Sequence, residues 1–220
     1  MGSITFVCLS KSKKNNEFCV AGKVINSDGT VGDWIRPINQ HGDINNHDCL
    51  YQDGSYAKPL EIITILLKKH LPKKFQVENY LIDESIYWVK KGDYNIDHAS
   101  LMRLCDYPDT LWFNNSQSNN GKNDQVSPKE ATILNESLYF IYVGSITFFT
   151  SRWKQEKVKV RAEFIYNDVT YNLKVTDLTW IEYFNDKDLG SHTKENTFLT
   201  VSLALEIFGG FHYKLIAELI

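Results

Sequence analysis

Between Lys157 and Tyr166 the chain alternates almost strictly. Val158, Val160, Ala162, Phe164 and Tyr166 fall on one parity, and Lys157, Lys159, Arg161 and Glu163 on the other. A β-strand has a side-chain period of two, so this spacing puts the apolar residues on one face and the charges on the other. The segment reads as a half-buried strand, with one side against a core and one side in water. Asn167-Asp168 then supplies a tight turn, and Tyr171, Leu173 and Val175 take the inner face of the next strand.

The same reading extends over most of the chain. Ile4–Leu9 and Phe18–Ile25 are apolar runs joined by a polar loop that holds Lys11, Lys13 and Lys14. Ser27-Asp28-Gly29-Thr30 carries the Asp-Gly pair of a hairpin turn, and it leads to Val31 and Trp34-Ile35-Arg36-Pro37, where the proline should end the strand or place it at an edge. The stretch from Gly42 to Ala57 is a loop by composition, and Leu60–Leu67 is a strand that runs into Lys68, Lys69, His70, Lys73 and Lys74. Tyr80–Asp83 and Tyr87–Val89 suit short strands, and Asp97–Cys105 has the spacing and acidic start of a short helix. Residues Asn114–Asp124 hold too few apolar side chains to offset the entropy of ordering, so they predict a mobile loop or one ordered by a ligand. Leu138–Val143 and Ile146–Phe149 are strand-like. Thr179–Phe184 suits one helical turn, and Phe198–Phe208 and Tyr213–Ile220 close the chain as strands around Gly209-Gly210, with Leu203–Phe208 equally compatible with a helix.

This tally places about five strands before residue 90, a mixed segment to about 135 and about five strands after it, with no long amphipathic helices between strands. The expected fold class is mainly β: two tandem small β-barrels, residues 1–90 and 136–220, with a helical and loop insert at 91–135. The 12 Tyr, 12 Phe and 5 Trp agree, since aromatic side chains suit a pleated, half-buried surface. No apolar run approaches the roughly 18 residues of a membrane span. The opening Met-Gly-Ser-Ile-Thr-Phe lacks the order of a secretory signal, so a cytoplasmic protein without a membrane partner is expected. Cys8, Cys19, Cys49 and Cys105 are scattered without a CxxC, which argues against a disulfide framework and a structural zinc site.

Several segments together resemble a known family: Asp33-Trp34-Ile35-Arg36-Pro37, Asn79–Asp83 with Tyr87-Trp88, Leu111-Trp112 with Ser118, Gly121, Asn123 and Asp124, Arg161-Ala162 with Phe164 and Tyr166, Val175-Thr176-Asp177, and Tyr213–Ala217. The pattern spans nearly the whole chain and is similar to that of the bacterial dual-OB-domain proteins. The resemblance implies two OB-like barrels in tandem and a nucleic-acid-binding role in genome defence or nucleic-acid processing, with no catalytic motif to carry over. Trp34, Arg36, Trp112 and Arg161 match the pattern, whereas Asn115 and Lys122 lie in a variable part.

A net charge of −3 excludes a polycation held to nucleic acid by bulk electrostatics, so binding must use a local patch. OB barrels bind single strands by stacking bases on aromatic side chains in a basic groove. The candidate contacts are Arg152, Trp153, Lys157, Lys159 and Arg161 along one hairpin, Trp34 with Arg36 on the first barrel, and Trp112. Against this stands a bland reading in which Trp34 is core, Arg36 covers its flank with its methylene stem, and the lysine face is merely solvated. The clusters Lys11/Lys13/Lys14 and Lys68/Lys69/Lys73/Lys74 could extend a phosphate-tracking surface.

Other chemistries find less support. His41, Asp43, His47, Asp48 and Cys49 lie close together but without metal-ligand spacing. No Gly-x-Ser-x-Gly elbow or phosphate loop occurs, and Asp97, His98 and Asp106 offer only a weak acid and base set. The expectation is a non-enzymatic module without cofactor or metal that binds nucleic acid, preferably single-stranded. The alternative is a protein-interaction or scaffold module whose exposed aromatics meet a partner chain.

Overall fold

The computed structural model describes residues 2–14, 17–152, 154 and 157–220, and the chain divides into two compact units, Met1–Leu104 and Cys105–Ile220. In the first unit, β1 (Ser3–Lys14), β2 (Glu17–Ile25) and β3 (Val31–Ile38) form an antiparallel meander. After a long connection come β4 (Glu61–His70) and β5 (Asn79–Ile82). β5 lies parallel to β3 and antiparallel to β4, and β4 returns to β1, so the sheet closes on itself in the order β1-β2-β3-β5-β4. β6 (Val89–Asp93) adds to β4, and α1 (His98–Leu104) ends the unit.

Closure follows from the pattern of the strands. On β4, Glu61, Ile63, Ile65 and Leu67 are buried and their neighbours are not, which is the period of a strand with one face on a core. Phe6, Val20, Ile35, Ile63 and Trp88 meet inside, and Phe6 sets its ring edge against Trp88 at 6.2 Å between centroids. A Cβ on Gly22 would lie 1.9 Å from the Val7 carbonyl oxygen, so only glycine lets β2 pass this close to β1 beside the bulge at Cys8–Ser10. The connection from β3 to β4 has no helix. It sends Ile44, Cys49, Tyr51 and Ala57 into the core instead.

The second unit repeats this plan. β7 (Gln125–Val126) and α2 (Pro128–Ala131) precede β8 (Leu138–Ser151), β9 (Lys159–Tyr166) and β10 (Val169–Val175), then α3 (Leu178–Asn185), β11 (Ser191–Leu203) and β12 (His212–Leu219). β8, β9 and β10 form the meander, β11 pairs with β8 and β12, and β12 returns parallel to β10. β7 extends the sheet beyond β12. Both units therefore have the same strand order, and the expected pair of OB-like barrels is what the chain forms.

The alternation along β9 holds: Val158, Val160, Ala162 and Phe164 are buried, and the tight turn after β9 has positive φ at both Asn167 (46°) and Asp168 (62°). The runs 138–143 and 146–149 are one continuous strand, β8. Residues 204–211 are neither strand nor helix; they form the loop between β11 and β12, pinned by a bridge from Phe208 to Phe211.

α3 sits between the third and fourth strands of its barrel. Asp177 caps it, its Oδ1 accepting from the amides of Thr179 and Trp180 while Oδ2 accepts from the Leu219 amide on β12. Phe184 and Trp180 then pack on Phe148, each at 5.1 Å between centroids. Among the described residues, no helix is long and apolar enough to cross a membrane.

Candidate nucleic-acid interface

The outward parity of β9 and β10 is the polar side of the second barrel. Lys159, Arg161 and Glu163 follow one another along β9, and Lys174 lies directly opposite Arg161 on β10. Lys159 and Lys174 are exposed, as are Lys154 and Lys157 in the loop that joins β8 to β9. Arg152, at the start of that loop, is exposed and donates to the Asn185 carbonyl at 2.8 Å, where its charge meets the C-terminal end of α3. Trp153 lies outside the described residues.

Arg161 is held differently from its lysine neighbours. Its guanidinium pairs with Asp124 at 2.7 Å and donates to the side-chain and main-chain oxygens of Asn172 at 2.8 and 2.6 Å. Asp124 is fully buried and also accepts from the amide and hydroxyl of Ser118. This carboxylate thus ties the segment Asn114–Asp124 to the barrel wall. Lys122 exchanges main-chain hydrogen bonds with Asn172, and the Asn123 side chain donates to the Thr170 carbonyl. Gly121 is required here, since a Cβ would lie 1.9 Å from the Asp124 carboxylate and 2.5 Å from the Arg161 guanidinium. The sequence predicts a mobile or ligand-ordered loop; the protein's own hydrogen bonds order it instead.

A buried lysine supports the start of this segment. Lys214 on β12 is inaccessible to solvent, lies over the Tyr171 ring at 5.1 Å, and donates to the Phe113 carbonyl at 2.6 Å and the Asn114 side chain at 3.2 Å. Burial lowers its pKa to about 7, against the pull of Asp124 and Glu130 in the opposite direction.

Between this anchored segment and the β11–β12 loop lies an open groove of about 690 Å³. Its walls are the amide and hydroxyl side chains of residues 115–120, with Gln125, Arg161, Phe211 and Tyr213. Gln125 donates to the Tyr213 hydroxyl at 2.7 Å and accepts from Ser116, so that corner is rigid. Phe208 stands 77% exposed beside it, edge-on to Tyr213 at 6.2 Å. Sequence reasoning passed over Phe208, Phe211, Tyr213 and Asp124 as site residues. The signals were the run of amide side chains around Gly121, which composition alone assigns to an unstructured loop, and the presence of Asp124 and Tyr213 in the family pattern.

The remaining predicted contacts take other roles. Arg36 is buried and pairs with Glu78 at 2.9 Å, also donating to Cys19 Sγ at 3.3 Å, because the segment before β5 lies across it. The methylene-stem reading is replaced by this internal ion pair. Trp34 is half-buried, and Lys23 opposite it on β2 places its ammonium 5.6 Å from the ring centre. Trp112 is core: it is 5% exposed, its Nε1 donates to the Glu136 carbonyl, and it packs on Tyr139.

Of the basic clusters, Lys11 is drawn onto the Ala57 carbonyl between the Phe18 and Tyr56 rings, and Lys68 pairs with Asp83. Lys69, Lys73 and Lys74 are exposed. In the stretch from His41 to Cys49, Asp48 accepts from the Asn39 side chain and the Asn45 amide, and Cys49 is buried. Among the described residues, no group of three or more His, Cys, Asp or Glu is placed to hold a metal ion. Asp97 caps α1 through the Ser100 amide.

The model of the dual OB-containing domain matches residues 4–219. The chain belongs to that family. This dual OB-containing chain is also similar to two solved structures. One is a murine DNA-binding protein bound with double-stranded DNA, at 9% identity and a TM-score of 0.35, with all of this chain and 94% of that one covered. The other is the tetrameric p202 HIN2, at 8% identity and a TM-score of 0.32, with all of this chain and 92% of that one covered. At these scores neither likeness bears on ligand or partner. Among curated proteins, no sequence match is found.

Proposed function

We propose that the protein is a non-enzymatic nucleic-acid-binding module, with a preference for single strands, that works in the cytoplasm as part of a bacterial defence or nucleic-acid-processing system. The observation that carries this reading is the run of exposed Lys154, Lys157, Lys159 and Lys174 on the outer side of β9, β10 and the loop before them. In an OB-fold, the face of the second and third strands, with the loops after the first and fourth, is where oligonucleotides bind. On the second barrel those parts are β9, β10, Arg152, Lys154, Lys157 and Val158 in the loop before β9, and residues 204–211. The overall charge of −3 makes this a local patch rather than a general attraction.

A lysine that neutralises a phosphate releases condensed counterions, and each single-strand contact contributes about −0.7 to the slope of log K against log salt. Three such contacts give a slope of about −2. Fluorescence polarisation with labelled single-stranded DNA, single-stranded RNA and duplex DNA at low and physiological salt measures it directly. Single-strand binding that weakens about tenfold or more in Lys157→Glu with Lys159→Glu, with a shallower slope, is the expected result. Absence of binding to all three at low salt rejects the reading and directs attention to a protein partner.

A further inference from the structure

We infer that the groove between residues 115–120 and the β11–β12 loop receives an unstacked base of the bound strand and favours purines over pyrimidines. This rests on the nucleic-acid reading but on different atoms, since the lysines just described track phosphates and carry no information about base identity.

The groove is polar yet offers little free charge. Its cation, Arg161, is committed to Asp124 and Asn172, and Asp124 is buried. What faces solvent is neutral: Gln117, Asn119 and Asn120 are exposed, and among the described residues their side-chain amides have no hydrogen-bond partner in the protein. A volume of about 690 Å³ lies within the range of small-ligand sites. Next to this lining, Phe208 is 77% exposed, set edge-on to Tyr213 and bridged to Phe211, both of which line the groove. An apolar ring this exposed costs hydration free energy with no gain in packing, and a stacked base removes that cost. Polar edges inside and an exposed aromatic ring adjoining the lining are the two contacts by which unpaired bases are recognised.

Base choice follows from hydrogen-bond complementarity. A side-chain amide presents one acceptor beside one donor pair, and adenine matches it on the N6/N7 edge and again on the N6/N1 edge. Guanine shows two acceptors on its N7/O6 edge, but unstacked it also presents O6 beside N1–H, which an amide matches, so either purine fits. Cytosine and thymine have a single matching edge and a smaller ring to stack.

The test is equilibrium binding of the full chain to oligodeoxyadenylate, oligodeoxycytidylate, oligothymidylate and an abasic strand of equal length, at about 50 and 200 mM salt. The same panel is run for Phe208→Ala and for Asn119→Ala with Asn120→Ala, all at exposed positions where substitution leaves folding intact. Oligodeoxyadenylate should bind about tenfold tighter than the abasic strand and several-fold tighter than the pyrimidine strands. The amide pair should lose the preference for the purine strand without changing the salt slope, and Phe208→Ala should weaken every base-bearing strand towards the abasic one. Equal binding of all four strands, or a purine preference that survives these substitutions, overturns the inference and leaves the phosphate-binding module standing. Binding to none of the strands at low salt overturns both.

Discussion

In the first barrel the outer side of the second and third strands carries Lys23, Trp34 and Arg36, and in the second barrel the same side carries Lys159, Arg161 and Lys174. The strand order beneath them is identical. The first set is folded into the protein: Lys23 lies on Trp34, and Arg36 is enclosed with Glu78. In the second set the central cation is enclosed, by Asp124, and Lys159 and Lys174 are exposed. The difference lies in which segment crosses the sheet. In the first barrel, the segment before β5 runs beside Arg36 and Glu78 pairs with its guanidinium, whereas in the second an amide-rich segment touches the wall at Asp124 and Asn172 and leaves a groove beside it. A shared barrel therefore supports an internally neutralised face in one unit and a face with accessible charge in the other.

The largest test of this contrast is Glu78→Ala, which leaves a guanidinium buried without its partner. It should destabilise the first unit by about 3–5 kcal/mol in urea unfolding, while Arg36→Met with Glu78→Leu recovers most of that loss. A loss under about 1 kcal/mol would mean that Arg36 reaches solvent and that the two faces are alike. Asp124→Ala should cost the second unit less, about 2 kcal/mol, because Arg161 keeps 23% of its side chain exposed and water can replace the carboxylate there.

The next effect is smaller and depends on pH. Lys214 has its folded-state pKa lowered from 10.5 to about 7 by burial, so below pH 7 it is protonated in both states and its burial cost is fully present. As pH rises through 7 the folded state gives up the proton while the unfolded chain keeps it, so stability increases until the unfolded value is reached. Between pH 7 and 8 the second unit should gain up to about 1 kcal/mol from this group. Lys214→Met should lack that rise in otherwise matched melts, and a parallel pH profile for the two proteins would show that the ammonium is solvated. Smallest is the stability effect of Lys157→Glu with Lys159→Glu. Unfolding should move by less than about 0.5 kcal/mol even as strand affinity falls, which separates exposed charge from the enclosed charge of Arg36.

Much of the fold was legible because it depends on local spacing. The parity of residues 157–166, the Asn167-Asp168 turn and the apolar runs from Ile4 to Leu67 locate strands without knowledge of their partners. The site was less legible. Trp34 with Arg36 and Trp112 have the residue types of a nucleic-acid surface, but nothing near Arg36 in sequence announces Glu78, and nothing near Trp112 announces Tyr139. Conversely, the segment Asn114–Asp124 looks too polar to order. Its order comes from Arg161, Asn172 and Lys214, which lie at least 37 residues away along the chain.

The sequence by itself determined where most of the strands lie, which parity of β9 faces the core, and that any interaction with nucleic acid must be local in a chain of net charge −3. These follow from side-chain period and composition, properties that neighbouring residues already carry. Tertiary structure decided which cations stay in solvent, which aromatic rings are core and which stand at a groove. Those outcomes depend on desolvation and pairing between groups distant in sequence, as when Asp124 reaches Arg161 and Phe208 comes to rest beside Tyr213.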